Sequence, residues 1–218
     1  MITLDDIDED ILYSDNEVTS LADNTKHFQW LVMIKENLEI LFADRQDVFI
    51  AGDLLWYPDA EPLMASTAPD VVVVFGRPKG DRKSYRQWQE NGIPPTVVFE
   101  ILSQNTTDIE RWRRLWLYQE CKVEEYYTYD PETYVLEGLI RDQNQVVKIA
   151  EVNGWVSPRL GIKFDTSQGE LVIYRPDGKR FLTSVQLYAE LELERRRAEK
   201  LADYVRSLGI DPDNFPKT

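Results

Sequence analysis

Cysteine and histidine are almost missing from this chain: its 218 residues include one of each, Cys121 and His27. A single thiol excludes an intrachain disulfide and suits a reducing compartment, read here as the cytoplasm. One cysteine and one histidine also cannot make up the ligand set of a structural zinc site. Long hydrophobic runs are absent too. The strongest, Val71 to Phe75, falls far short of the ~20 apolar residues a membrane helix needs. The opening stretch MITLDDIDED has neither the positive charge nor the apolar core of a signal peptide, so the expectation is a soluble protein. The glycine-rich patterns GxGxxG and GxxxxGK[ST] do not occur, which removes the two commonest nucleotide cradles.

Acidic residues outnumber basic ones, 39 Asp and Glu against 25 Lys and Arg. The formal net charge is −14, and a uniformly acidic surface repels nucleic acid. The distribution matters, however. Residues 1–24 hold eight acidic side chains and no Lys or Arg, which leaves −6 for the other 194 residues. Within those, RPKGDRKSYR (77–86) has five basic residues against one acidic, a loop able to grip an anion, although most such runs are solvated loops.

What is present is a substantial core, with 43% apolar and 11% aromatic residues. After the acidic leader, Asn24 is a candidate N-cap, and Phe28, Leu31, Val32, Lys35, Leu38, Leu41 and Phe42 recur at helical spacing. Strands are expected at 47–52, 54–58 and 68–76, then a loop from Arg77 to Pro95, then the strand TVVFEIL. TTDIERWRRLWLYQEC reads as a second helix, with Thr107 and Glu110 as a capping box and Asp108 at the positive end of its dipole. VEEYYTYDP is a further strand, and 134–152 is patterned as a hairpin turning at Asp142 to Asn144. Short strands follow in GIKF and LVIYRPDGKRFLT, and Ser184 to Arg206 is a charged helix. The layout predicts an α/β fold with one mixed sheet flanked by helices, as domain 1–183, followed by a C-terminal helix and tail, 184–218.

Glu100 breaks the pattern. In PPTVVFEILSQNT it shares a strand face with Val98 and Leu102, while Val97, Phe99 and Ile101 share the other. Burying a lone carboxylate costs several kcal/mol, so Glu100 needs a basic partner or a metal ion. Asp70 stands just before the other strongly apolar run. If the two strands are neighbours, both carboxylates meet at one end of the sheet, where a cation between them relieves their repulsion. Mg²⁺ is commonly held by one or two carboxylates with water and substrate phosphate.

The order APDVVVVFG, PPTVVFEILS, a helix, then YQECKVEEYYTYDP resembles the Uma family of restriction endonucleases, from about Tyr13 to Phe181. The resemblance implies a restriction-endonuclease-like fold with a PD-(D/E)xK active site, Mg²⁺ or Mn²⁺ as cofactor and DNA as partner. It implies Asp70 and Glu100 as metal ligands, with the Ile101 carbonyl as a third. Leu102 stands where the simple motif has lysine. The family supplies its lysine from the next helix, and Arg114 occupies that position here. Arginine is effectively always charged, so Arg114 suits stabilising a charged transition state and not general-base work. Glu110 matches an acidic family position one helical turn before Arg114, and Lys122 replaces a glycine common in relatives.

Each of these residues also has a plain structural reading. Glu100 can pair with Arg114 and never meet a metal, which leaves an inactive binding protein on a nuclease scaffold as the alternative function. Asp70 can serve as a strand-entry residue, Glu110 as a cap, and Ser103 as a turn organiser. His27 reads as a surface or capping residue, although it lies at or beside a position often held by histidine in relatives. Trp112 and Trp116 read as core or interface anchors and not as base-stacking platforms. A homodimer is expected, since C₂ pairs are the commonest assembly, with the 184–206 helix available for packing.

Overall fold

The computed structural model describes residues 25–60, 66–103, 106–143, 145–209 and 211. The acidic leader, the expected Asn24 cap, the Asp108 side chain and Asn144 of the hairpin turn lie outside the described residues. The chain divides into two compact units, the first ending at Phe181 and the second starting at Leu182.

In chain order the first unit holds helix α1 (Thr25–Leu41), then strands β1 (Val48–Gly52), β2 (Trp56–Tyr57), β3 (Val71–Phe75), β4 (Tyr85–Arg86) and β5 (Val97–Ile101). Helix α2 (Asp108–Glu120) follows, and then β6 (Glu125–Asp130), β7 (Val135–Asp142), β8 (Gln145–Lys148), β9 (Lys163–Asp165) and β10 (Val172–Tyr174). Six strands form the main sheet in the order β1-β3-β5-β6-β7-β8. Within this sheet, among the described residues, β5 and β6 run parallel and the other neighbours are antiparallel. A parallel pair needs a crossover, and α2 supplies it, which fixes this helix over one sheet face. The expected single mixed sheet is joined by two ribbons of two strands each, β2 with β4 and β9 with β10.

Period-two alternation sorts the strands onto two cores. Val71, Val73, Val97, Phe99, Ile101, Tyr127 and Tyr129 meet Trp30, Leu31, Ile34 and Leu38 of α1. Phe49, Val72, Val74, Val98 and Tyr126 meet Leu117 and Tyr118 of α2, with Trp56 and Tyr85 closing that side. With helices on both faces, β3 is apolar at consecutive positions, and each valine so buried contributes roughly 1.5–2 kcal/mol. At Gly138, opposite Tyr127 on β7, an added Cβ would stand 2.6 Å from Ile149 Cδ1 and 3.2 Å from the Tyr127 ring.

Helix α1 is turned from the face its apolar spacing suggests. His27, Trp30, Ile34 and Asn37 are buried with Leu31 and Leu38, whereas Phe28 is exposed. Apolar residues nearly encircle this helix, so spacing alone does not choose its inner face. The 77–95 loop is more ordered than expected: β4 pairs with β2, and a 3₁₀ turn occupies Gln87–Glu90. Three of its five basic residues make contacts within the protein. Arg77 and Arg82 donate to Glu90 at 2.6 and 2.7 Å, and Lys79 donates to the Phe42 and Ala43 carbonyls at 2.8 and 3.1 Å at the end of α1. Arg77, Lys79 and Arg82 thus clasp the loop to Glu90 and to the end of α1.

The second unit contains helix α3 (Ser184–Ser207), started by a capping box of Thr183 and Gln186. Val185, Tyr188, Leu191 and Leu201 on it are exposed. Among the described residues, no helix is long and apolar enough to cross a membrane.

Candidate active site

Strand register builds the site. Val71 pairs with Phe99, so Asp70 and Glu100, one residue further along each strand, stand opposite each other on the α2 face. Both are buried, at 8% and 1% exposure. The two carboxylates expected to converge are brought together at the ends of β3 and β5, and the Ile101 N–H donates to Asp70 Oδ2 at 2.6 Å. At Ile101 the group touching the site is thus its N–H; the carbonyl-ligand role expected there passes to the proposal below.

The row continues on both sides. Gly52 pairs with Val71, so Asp53 comes opposite Asp70, and its N–H donates to the Asp70 carbonyl at 3.0 Å. Asp53 holds φ 54°, a left-handed conformation unusual for a side chain other than glycine. In the other direction Glu100 pairs with Thr128, and Thr128 with Glu137 on β7. Four acidic side chains therefore lie in one row across five strands. Like charges directly opposite are unfavourable, and three of the four have a basic side chain beside them. His27 Nε2 lies 3.0 Å from Asp70 Oδ1. Arg114 of α2 donates to Glu100 Oε2. Arg111, one turn earlier, donates to Glu137 Oε2 at 3.1 Å, and Lys148 donates to Glu137 Oε1.

Glu100 has a second partner, the Tyr118 hydroxyl, which donates to Oε1. Arg114 and Tyr118 are one turn apart on α2, the spacing that puts both over the same strand residue. Tyr118 is held between Trp56, stacked at 6.0 Å, and Tyr126, edge-on at 5.1 Å. Burial pushes the Glu100 carboxyl up to about 7, against the downward pull of Arg114; Asp70 pushes it further up and Tyr118 pulls it down. Glu100 in turn raises the Arg114 guanidinium. Burial, then Glu100, lifts the Tyr118 phenol well above its usual range, so it stays a donor. At Asp53, at the solvent side of the row, partial burial raises the carboxyl, Asp70 adds to this, and His27 opposes it.

Other expected residues fall into structural places. Glu110 completes the capping box with Thr107, taking the Thr107 N–H at 2.8 Å, and the carboxylate partner of Arg114 is Glu100. The Ser103 N–H donates to Thr106 Oγ1 at 3.2 Å within the turn after β5. His27, expected at the surface, is buried at 7% exposure beside Asp70, because α1 begins over the end of β3. Trp112 and Trp116 are not core: they are 71% and 54% exposed. Tyr118 and Asp53 are additions to the sequence reading. The i, i+4 spacing from Arg114 marks Tyr118, whereas nothing local marks Asp53, whose place depends on the pairing of β1 with β3.

The family model Uma2, described as "Putative restriction endonuclease", matches residues 8–165. That is well over half of the chain, and the chain belongs to this family of nuclease type. A solved structure, a putative nuclease belonging to DUF820 from Anabaena variabilis, is 13% identical to it, over 60% of this chain and 70% of that one, with a TM-score of 0.42. No curated protein matches the chain.

Proposed function

We propose that the chain is a divalent-metal-dependent DNA endonuclease that hydrolyses phosphodiester bonds at Asp70 and Glu100. The observation that carries this reading is their placement opposite each other on one face, with Arg114 reaching over from α2. The donor chemistry fits a hard cation such as Mg²⁺ or Mn²⁺: neighbouring carboxylates, and no thiol close by. Among the described residues, no three His, Cys, Asp or Glu side chains are gathered tightly enough to hold an ion. Asp70 and Glu100 would therefore hold it together with water, substrate oxygens and the Ile101 carbonyl. Such an ion, when bound, activates water and neutralises charge on the scissile phosphate. Arg114 has five donors, so it can keep Glu100 while reaching a phosphate oxygen, and it stabilises the charge that develops there. Tyr118 fixes the Glu100 carboxylate from its other oxygen, and His27 holds Asp70.

Plasmid cleavage with Mg²⁺ or Mn²⁺, comparing the wild type with Asp70→Ala and Glu100→Ala, tests this directly. Cleavage is expected only from the wild type; equal cleavage by all three proteins assigns it to a contaminant and ends the proposal. A second reading is favoured by one observation: Arg114 and Tyr118 already take both oxygens of Glu100. In that case Arg114 replaces the metal, and the protein binds without cutting. Mn²⁺ uptake measured by calorimetry, and abolished in Asp70→Ala, excludes this second reading.

The proposal places the nuclease in residues 1–183 and a separate helix and tail in 184–218, in a cytoplasmic homodimer. The exposed apolar residues of α3 support self-association. Light scattering that returns the 25.5 kDa monomer mass at tens of micromolar would refute the dimer.

A further inference from the structure

Beside the carboxylate row, between α2 and strands β6 to β8, lies a cavity of about 300 Å³. Trp112 and Tyr126 supply its aromatic surface, Arg111 and Lys148 its cations, and Thr128 and Glu137 its acceptors. Three neighbour relations tie its lining to the candidate active site. Thr128 is the register partner of Glu100. Arg111 is one helical turn from Arg114. The Tyr126 ring packs edge-on against Tyr118, which holds Glu100. Neighbouring strands are ~4.8 Å apart, so the cavity lies one to three strand spacings from Glu100.

The lining has a chemical logic. Trp112 presents 71% of its surface to solvent, and Trp116 one turn on presents 54%. Exposed indoles on a charged helix are costly to keep in water and are typical of surfaces that receive a flat apolar partner. The Glu137 carboxylate is shared by Arg111 and Lys148, so the cavity carries one net positive charge in a chain that is strongly negative overall. A volume of this size is at the small end of ligand sites, suited to one planar group and not to a long chain. Aromatic faces beside cations, next to a phosphodiester-cleaving centre, fit a nucleobase with its neighbouring phosphate.

We propose that this cavity receives an unpaired nucleobase next to the scissile phosphate, stacked on Trp112, with Arg111 and Lys148 on the flanking phosphate. This inference rests on the nuclease reading and narrows its substrate to strands with an exposed base, either single-stranded or locally opened. In the interior of an intact duplex both faces of each base are covered by neighbours, so Trp112 has no partner there.

The test uses the full chain in EDTA, with a single-stranded oligonucleotide carrying 2-aminopurine and the blunt duplex of the same sequence. The single strand is expected to bind at least five-fold more tightly than the duplex, with the 2-aminopurine emission quenched by stacking. Trp112→Ala should weaken single-strand binding at least five-fold and remove the quench, while Trp112→Phe should retain both. Lys148→Gln should lower the salt dependence of binding by about one phosphate contact. Trp112 and Lys148 are exposed, and unchanged melting of these variants verifies that they fold.

Binding that ignores Trp112→Ala, a missing quench, or a preference for duplex overturns the proposal. A second copy of the chain on this face, seen as a concentration-dependent mass that Trp112→Ala abolishes, overturns it likewise. Plasmid cleavage separates the two readings. Asp70-dependent cutting with Trp112-independent binding leaves the nuclease and removes the pocket. Trp112-dependent binding without Asp70-dependent cutting does the reverse.

Discussion

Arg114→Met asks how the buried Glu100 is kept ionised. Glu100 is 1% exposed and the Arg114 side chain 37%, so the pair is buried on the acid side and open to water on the basic side. In the wild type the Glu100 carboxyl sits at about 7, above the 4.5 of an unperturbed glutamate. A carboxyl raised in the folded state contributes stability that is fully present below about 4.5 and is lost as pH rises through 7. At ~1.4 kcal/mol per pH unit, that loss is on the order of 3–4 kcal/mol. Removing Arg114 raises the carboxyl further. Below about pH 6 both folded proteins hold Glu100 protonated and differ by about one hydrogen bond, ~1 kcal/mol.

Above pH 7 the wild-type carboxyl ionises while the variant's resists, and the gap widens by up to ~1.4 kcal/mol per unit. By pH 9 the added loss reaches roughly 2–3 kcal/mol, below the ~3–5 kcal/mol of a fully buried pair because water screens the arginine side. For a chain of this size that is about 5–10 °C in Tm. Thermal melts of wild type, Arg114→Met, Glu100→Gln and the double variant from pH 5.5 to 9 provide the readout. Glu100→Gln should flatten the wild-type slope between pH 5.5 and 7, and in the double variant the alkaline loss should disappear. A loss in Arg114→Met that is the same at every pH, or that survives Glu100→Gln, would refute the reasoning.

Three further changes probe the frame around the site. Glu125 is buried at 2% exposure and accepts from the Tyr127 hydroxyl at 2.9 Å, the Arg159 N–H at 2.6 Å and Ser157, so Glu125→Ala strands three donors. It should cost about 2–4 kcal/mol in urea unfolding, with Glu125→Gln retaining most of the stability. Gly138→Ala forces a Cβ to within 2.6 Å of Ile149 and should cost about 1–3 kcal/mol, eased by Ile149→Val, as read from paired melts. Lys122 holds φ 65° in the turn after α2, so Lys122→Gly should be stabilising by roughly 0.5 kcal/mol; a lower Tm in that variant would contradict this.

Much of this protein was decided locally. The β-branched run at 71–75, the capping box at Thr107 and Glu110, and the alternation around Glu100 each depend on neighbours within a few residues. The strands, the crossover helix and the oddity of a buried carboxylate therefore follow from the sequence. The motif order also identifies the family without any contact map. Other features required long-range pairing. His27 is buried because α1 starts over the end of β3, although its own helix is too evenly apolar to select an inner face. The basic 77–86 loop clasps Glu90 and the end of α1, since charges close enough to meet in space bind each other before they wait for a distant anion. Asp53 joins Asp70 and Glu100 only through the register of β1, β3 and β5, and strand register is a property of the sheet. The partners of Glu100 arise the same way: the sequence calls for a cation beside it, and the position of α2 over β5 brings Arg114 and the Tyr118 hydroxyl to its two oxygens.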